Sequence, residues 1–243
     1  MGFFNFGKSS SLYHPGSYSV AFLQDKVANY RKILNKLGIR VQFSEEMCCG
    51  GILINSGYEG DARKLARKNL DTAQKEEIKK IITNDPLCYK TLFKDYGEML
   101  PDWTLEVEFI LSTILNKIAP QDIKEIAQEA VIYIDPCYLG RYSNIYEEPR
   151  KLLALLGYKV IEAKNNREKA MCDGSCGGLK QTNPELANKI AKNLFKHLEI
   201  LGTKKIVTPD PQSYIHLKEN APEGFEVLEF SEIICKSLGL KSK

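Results

Sequence analysis

No stretch of this chain is long and apolar enough to span a membrane. Its opening residues, Met1-Gly-Phe-Phe-Asn-Phe-Gly-Lys-Ser-Ser-Ser, lack the basic segment and apolar run of a secretory leader. The expectation is a soluble, cytoplasmic protein without direct membrane insertion. An excess of one charge is also missing. The 34 Lys and Arg against 31 Asp and Glu leave a formal net charge of +3, scattered along the chain, which argues against nucleic acid as a partner. Nothing matches a Walker phosphate loop, a dinucleotide-binding glycine fingerprint or a zinc-protease helix.

What is present is cysteine, seven residues in all, an odd number in a chain of 243 residues that does not need disulfides to be stable. In a reducing compartment such cysteines are ligands, redox groups or core. The stretch that organises the chain is Met47-Cys48-Cys49-Gly50-Gly51. Neighbouring thiols cannot bond to each other without a strained ring. Both can reach a metal or a multi-iron cluster if the glycines let the backbone turn tightly around it.

Residues 1–12 read as a loose, partly aromatic leader. A helix is expected over residues 17–37, ended by Gly38, and a short strand over 39–43 leading into Cys48-Cys49. Further helices are expected at 58–79, 105–117, 147–156 and 184–201, with strands at 80–83, 131–134, 159–161 and 205–208. Asn84-Asp85-Pro86 and Asp210-Pro211 each open a helix, with Asp as N-cap and Pro at the first helical position. Strands separated by helices imply parallel sheets.

The chain also repeats itself. Ser17 to Cys48 spans 31 positions, Cys49 to Asp85 spans 36 and Asp85 to Cys88 spans 3; Cys137 to Cys172 spans 35, Asp173 to Asp210 spans 37 and Asp210 to Ser213 spans 3. Thr83-Asn-Asp85-Pro86-Leu-Cys88-Tyr89 lies over Thr208-Pro-Asp210-Pro211-Gln-Ser213-Tyr214, agreeing in Thr, Asp, Pro and Tyr. This is an internal duplication, with domains expected at 13–118 and 125–243.

A duplicated pattern of one cysteine, a Cys-Cys-Gly after thirty to forty residues and a further ligand pair resembles the cysteine-rich CCG domain family. That family includes the B-type subunit of heterodisulfide reductase and the iron-sulfur subunits of glycolate oxidase, anaerobic glycerol-3-phosphate dehydrogenase and lactate-utilisation systems. The resemblance covers residues 13–235. It is close at Asp135-Pro136-Cys137-Tyr138-Leu139-Gly140-Arg141-Tyr142, at Glu147-Glu148-Pro149-Arg150 and at Asn166-Arg167-Glu168 before Cys172, with Tyr138 where a histidine is usual. It implies an α/β fold of two Rossmann-like CCG domains with parallel sheets, related by a pseudo-two-fold axis, with the cysteine loops meeting near their interface.

The resemblance implies five ligand slots per half. They read Ser17, Cys48, Cys49, Asp85 and Cys88, then Cys137, Cys172, Asp173, Asp210 and Ser213. The departures count against a five-thiolate cluster. Cys176, in the loop Cys172-Asp173-Gly174-Ser175-Cys176-Gly177-Gly178, restores a third thiol to the second set. The expected cofactor is an iron-sulfur cluster of the 4Fe-4S type, held by Cys48, Cys49 and Cys88 or by Cys137, Cys172 and Cys176, with Asp85, Asp173 and Asp210 as candidate oxygen ligands. Capping is favoured over ligation for Asp85, Asp210 and Ser17. Zinc is the alternative, with His14 completing a Cys₃His set. Cys172 and Cys176 could instead cycle between dithiol and disulfide. Cys235 reads as core, and His197 and His216 as surface or packing residues. The function the resemblance implies is an iron-sulfur redox subunit passing electrons between a ferredoxin or flavoprotein partner and a disulfide or other acceptor. The competing reading is a diverged relative with zinc or no metal and a structural role.

Overall fold

Short strands of two to four residues, some apolar and some alternating, are separated by helices that force parallel pairing. The computed structural model describes residues 9–44 and 47–242. The first half runs β1 (Ser11–His14), α1 (Ser17–Phe22), α2 (Gln24–Lys36), β2 (Gln42–Phe43), α3 (Gly51–Asn55) and α4 (Glu59–Lys75). It continues through β3 (Lys80–Thr83), α5 (Pro86–Lys90), a π-helical turn (Thr91–Asp95), α6 (Tyr96–Met99), β4 (Glu106–Phe109) and α7 (Ile110–Leu115). The second half runs β5 (Ala130–Tyr133), α8 (Glu147–Leu155), β6 (Lys159–Ile161), α9 (Leu179–Thr182), α10 (Pro184–Leu198), β7 (Lys205–Thr208), α11 (Pro211–Asn220), β8 (Glu226–Glu229) and α12 (Phe230–Ser237).

The two sheets have the same order, β2-β1-β3-β4 and β6-β5-β7-β8, and all their pairings are parallel. Their registers superpose the halves: Tyr13 faces Ile82 across β1 and β3, and Tyr133 faces Val207 across β5 and β7. Tyr13 therefore corresponds to Tyr133, His14 to Ile134, Pro15 to Asp135 and Ser17 to Cys137. One apolar core runs from half to half, through Tyr30, Ile33 and Ile114 on one side and Leu152, Phe230 and Ile234 on the other. At its rim the Tyr30 hydroxyl donates to Glu229 Oε1 at 2.6 Å and Lys26 Nζ meets Glu232 at 2.8 Å.

The structure departs from the sequence-based expectation in several elements. Strand β1 takes Ser11–His14, residues expected as the end of a leader and the approach to a helix; residues 1–8 of that leader lie outside the described residues. The helix expected over 17–37 is two helices, broken at Leu23. A short helix, α3, follows the two glycines where none was expected. The helix expected from residue 105 begins as strand β4, and its counterpart β8 is a strand that the pattern does not announce. In both, a four-residue alternation runs straight into helical spacing, and the longer period hides the shorter. Strands β3, β6 and β7 fall on the expected residues. Among the described residues, no helix is long and apolar enough to cross a membrane.

Candidate metal centre

Backbone at the carboxyl ends of β1 and β3 and the Cys48-Cys49 loop converge in the first half. His14 ends β1, Asp85 and Cys88 follow β3, and Cys49 precedes α3. Ligand atoms of His14, Cys49 and Cys88 all lie within 4.8 Å of one another, and the three residues are buried. Cys49 Sγ and Cys88 Sγ are 2.8 Å apart, and either can donate to the other. That contact, helped by His14, lowers the Cys49 thiol against the cost of its burial, while the same contact and burial push Cys88 up. Among the described residues, both ring nitrogens of His14 lack a hydrogen-bond partner although the residue is only 1% exposed. A buried imidazole with two unsatisfied nitrogens beside two cysteine sulfurs is a donor set of the kind that holds a metal ion.

Asp85 holds this site together from below. Its Oδ1 accepts from the backbone N–H groups of Leu87 at 2.9 Å and Cys88 at 3.1 Å, capping α5 as the Asp-Pro pair suggested. Burial, and then the Cys49 charge, raise its carboxyl to about 6. Gly16, at φ +82°, lets the β1–α1 turn lie against this carboxylate, since a Cβ there would stand 2.8 Å from Asp85 Cβ. Gly51 instead lets the start of α3 close on α5 and the turn after it, where a Cβ would meet Thr91 Oγ1 at 2.7 Å and Leu87 Cγ at 2.8 Å.

Three thiols gather at the equivalent place in the second half. Cys137 follows β5, Cys172 and Cys176 lie in the glycine loop before α9, and Asp210 follows β7. Burial, with the Asp210, Asp173 and Cys172 charges around it, pushes the Cys137 thiol up to about 11. Cys176 Sγ lies 3.1 Å from Ser175 Oγ and 4.0 Å from Asp210 Oδ2. The Ser175 hydroxyl reaches Asp173 Oδ1 at 2.7 Å and Ser213 Oγ at 3.2 Å. Asp210 caps α11 through Gln212 and Ser213, and burial together with Asp85 across the interface raises it to about 8. The two sets therefore face each other. Tyr138 stands at their junction, accepting from Asn55 Nδ2 at 2.7 Å, its phenol pushed up by burial and by the Cys176 and Cys137 charges.

The cysteines expected as ligands divide unequally. Cys49 and Cys88 join His14 within 4.8 Å; Cys48 is outside that tight group, though its charge reaches Cys88, and it lines a cavity of about 370 Å³ with Leu12, Phe43, Met47 and Leu65. Ser17 is exposed and does not cap α1, whose N-cap is Gly16 without a side-chain bond, so its expected capping role is corrected. The place of that slot in the site is taken by His14, three residues earlier. Cys137, Cys172 and Cys176 share one neighbourhood with Asp173 and Asp210. Cys235 and His216 are fully buried and His197 is exposed, as expected. Sequence reasoning did not assign roles to Ser175 or Asn55; no spacing signal marks either.

The sequence profile of the cysteine-rich domain, CCG, matches residues 11–93 and 131–218, one copy in each half. The chain belongs to the CCG cysteine-rich domain family. It is 29% identical over 227 residues to the D-type subunit of dihydromethanophenazine:CoB–CoM heterodisulfide reductase of Methanosarcina barkeri, covering 87% of this chain and 54% of that one. It is 28% identical over 190 residues to an uncharacterized iron-sulfur protein of Methanocaldococcus jannaschii, covering 78% of this chain and 37% of that one. The chain thus spans about half the length of the heterodisulfide reductase polypeptide it matches. Among solved structures, a hypothetical protein from Helicobacter pylori shares the fold, with a TM-score of 0.63 at 12% identity, over 96% of this chain and 49% of that one.

Proposed function

We propose that this CCG protein is an iron-sulfur redox subunit resembling those of heterodisulfide reductase. It would carry electrons between a ferredoxin or flavoprotein partner and a disulfide or other acceptor. The observation that carries the reading is the pair of thiol-bearing sites at equivalent strand ends of a duplicated fold, close enough that Asp85 acts on Asp210. The relatives' names support it, as a reductase subunit and an iron-sulfur protein.

The residues fit such a group. Cys137, Cys172 and Cys176 supply three soft donors, with Asp173 or Asp210 as a fourth, and the His14 set supplies two thiols and an imidazole with unsatisfied nitrogens. A bound cluster supplies a one-electron carrier. The chain's own part is to hold and shield it: Asp85 and Asp210 fix the first turns of α5 and α11, and Tyr138 covers the junction. Reducing a disulfide to two thiols consumes two electrons and two protons, and the raised carboxyls of Asp85 and Asp210 are protonatable groups between the sites.

The compact His14, Cys49 and Cys88 set favours a second reading for the first half. Two thiols and one imidazole within 4.8 Å suit a single tetrahedral zinc ion. The Cys48→Ser/Cys49→Ser double variant tests both readings. The redox reading of the first half expects loss of visible cluster absorbance and of electron transfer. Loss of zinc with iron and spectrum intact would assign the first half to zinc and leave iron to Cys137, Cys172 and Cys176. Full redox activity with unchanged metal content would overturn a role for the Cys48-Cys49 pair.

A further inference from the structure

Asp135, two residues before Cys137, is the hub of a buried ion cluster. Arg150, 7% exposed on α8, grips it with two parallel bonds, Nη1 to Oδ1 and Nη2 to Oδ2, both at 2.8 Å. The same guanidinium holds Glu162, just past β6, through Nε at 2.7 Å and Nη2 at 2.9 Å, and lies over the Tyr133 ring. Asp135 Oδ2 also accepts the backbone N–H of Arg167 at 2.8 Å. Arg167 has φ +55°, a conformation an arginine adopts only when its surroundings hold it. Its own side chain is tied to Glu147 on α8 at 2.7 Å. Farther out, Arg141 Nη1 donates to the carbonyl of Ala170 at 2.8 Å. Together these bonds join the segment that carries Cys137 to the segment that leads into Cys172.

The first half keeps the arginine and puts other residues at its partners' positions. Arg31 stands seven residues before Gly38, as Arg150 stands seven before Gly157. The strand registers place Pro15 where Asp135 is and Phe43 where Glu162 is. Arg31 accordingly lies over the Phe43 ring, 4.3 Å from its centroid, and among the described residues no carboxylate bridges it to β1. A bidentate fork is rigid and directional, whereas a guanidinium over a ring fixes little.

We infer that Arg150 is a positioning residue of the second site. Clamped between Asp135 and Glu162, it sets the separation of Cys137 from the Cys172/Cys176 loop and keeps these thiols preorganised. Arg31, over the Phe43 ring and without such a clamp among the described residues, is the control. The inference rests on reading Cys137, Cys172 and Cys176 as one ligand set, and its test needs thiols only.

Phenylarsine oxide is the probe. It bridges two nearby thiols, forming two As–S bonds and releasing its oxygen as water with the two thiol protons. In a reduced, metal-free Cys48→Ser/Cys49→Ser/Cys88→Ser background, the arsenical binds the second site. Arg150→Met weakens that binding about 10-fold or more, Arg150→Lys recovers part of it, and Arg31→Met leaves it unchanged. If Arg150→Met does not fold, Glu162→Ala reports instead, since it removes the partly exposed arm of the clamp and leaves the Asp135–Arg150 pair in place. Binding unchanged in the folded Arg150→Met or Glu162→Ala protein overturns the inference, as does an equal loss in Arg31→Met. Arsenical binding that follows Arg150 in a protein that never takes up iron keeps the clamp and removes the iron-sulfur reading.

Discussion

Two side chains, His14 and Asp85, define the first site more than its sequence motif does. His14 brings an imidazole whose nitrogens have no hydrogen-bond partner among the described residues, and Asp85 secures the turn that presents Cys88. The cap is worth about 1–2 kcal/mol, so Asp85→Ala should lower the unfolding free energy by that amount in a denaturant titration. Asp85→Asn, which keeps an acceptor for the Leu87 and Cys88 N–H groups, should lose less than half as much. Equal losses would show that the charge and not the cap matters. At this scale the aspartate caps were legible because Asp-Pro at a strand-to-helix junction has a local mechanism. His14 was legible as a candidate donor beside the cysteines, whereas its approach to Cys49 and Cys88 was not, because it depends on the register of β1 against β3, a long-range fact.

Packing of short elements around the glycines governs the next scale. Gly51 begins α3 directly against Leu87 and Thr91, with a Cβ placed 2.8 Å from Leu87 Cγ. Gly51→Ala should therefore destabilise by about 1–3 kcal/mol through overpacking. Gly60, in α4 with nothing within 4 Å, should do the reverse, Gly60→Ala gaining up to about 1 kcal/mol of helix propensity. Thermal unfolding of the pair checks both signs, and a neutral Gly51→Ala would mean that α3 does not pack as described. Strands β3 and β7 were readable because each is an apolar run closed by Thr and an Asp-Pro turn. Strands β4 and β8 were not, because each passes without a break into a helix.

Across the whole molecule the halves are joined by a shared core and by a buried carboxyl at its rim. Glu229 is 2% exposed, and burial raises it to about 7 from an ordinary 4.5, even with Ser231 and the Tyr30 hydroxyl donating to it. A carboxyl raised in the folded state binds its proton more tightly there than in the unfolded chain. The stability it lends is complete below about 4.5 and is lost as pH rises through about 7. Asp85 and Asp210 act in the same direction in the metal-free protein, through about 6 and about 8. The denaturation midpoint of metal-free protein should therefore fall as pH rises from about 5 to about 7, the lowered Cys49 thiol opposing part of the fall, and Glu229→Gln should flatten it. A midpoint that rises with pH would contradict the assignment. The duplication was legible in the spacing, and the family resemblance implied the two α/β halves, whereas the join between them, made by single side chains such as Tyr30 and Glu229, left no pattern to read.

Whether these thiol sites hold an iron-sulfur redox group is tested most directly by the iron, zinc and acid-labile sulfide content of protein purified without oxygen, with a visible spectrum of the same sample. The expected result is iron and sulfide in equal amounts, about four of each per loaded site, with visible absorbance that bleaches on reduction. Zinc without sulfide, or no metal at all, would contradict it.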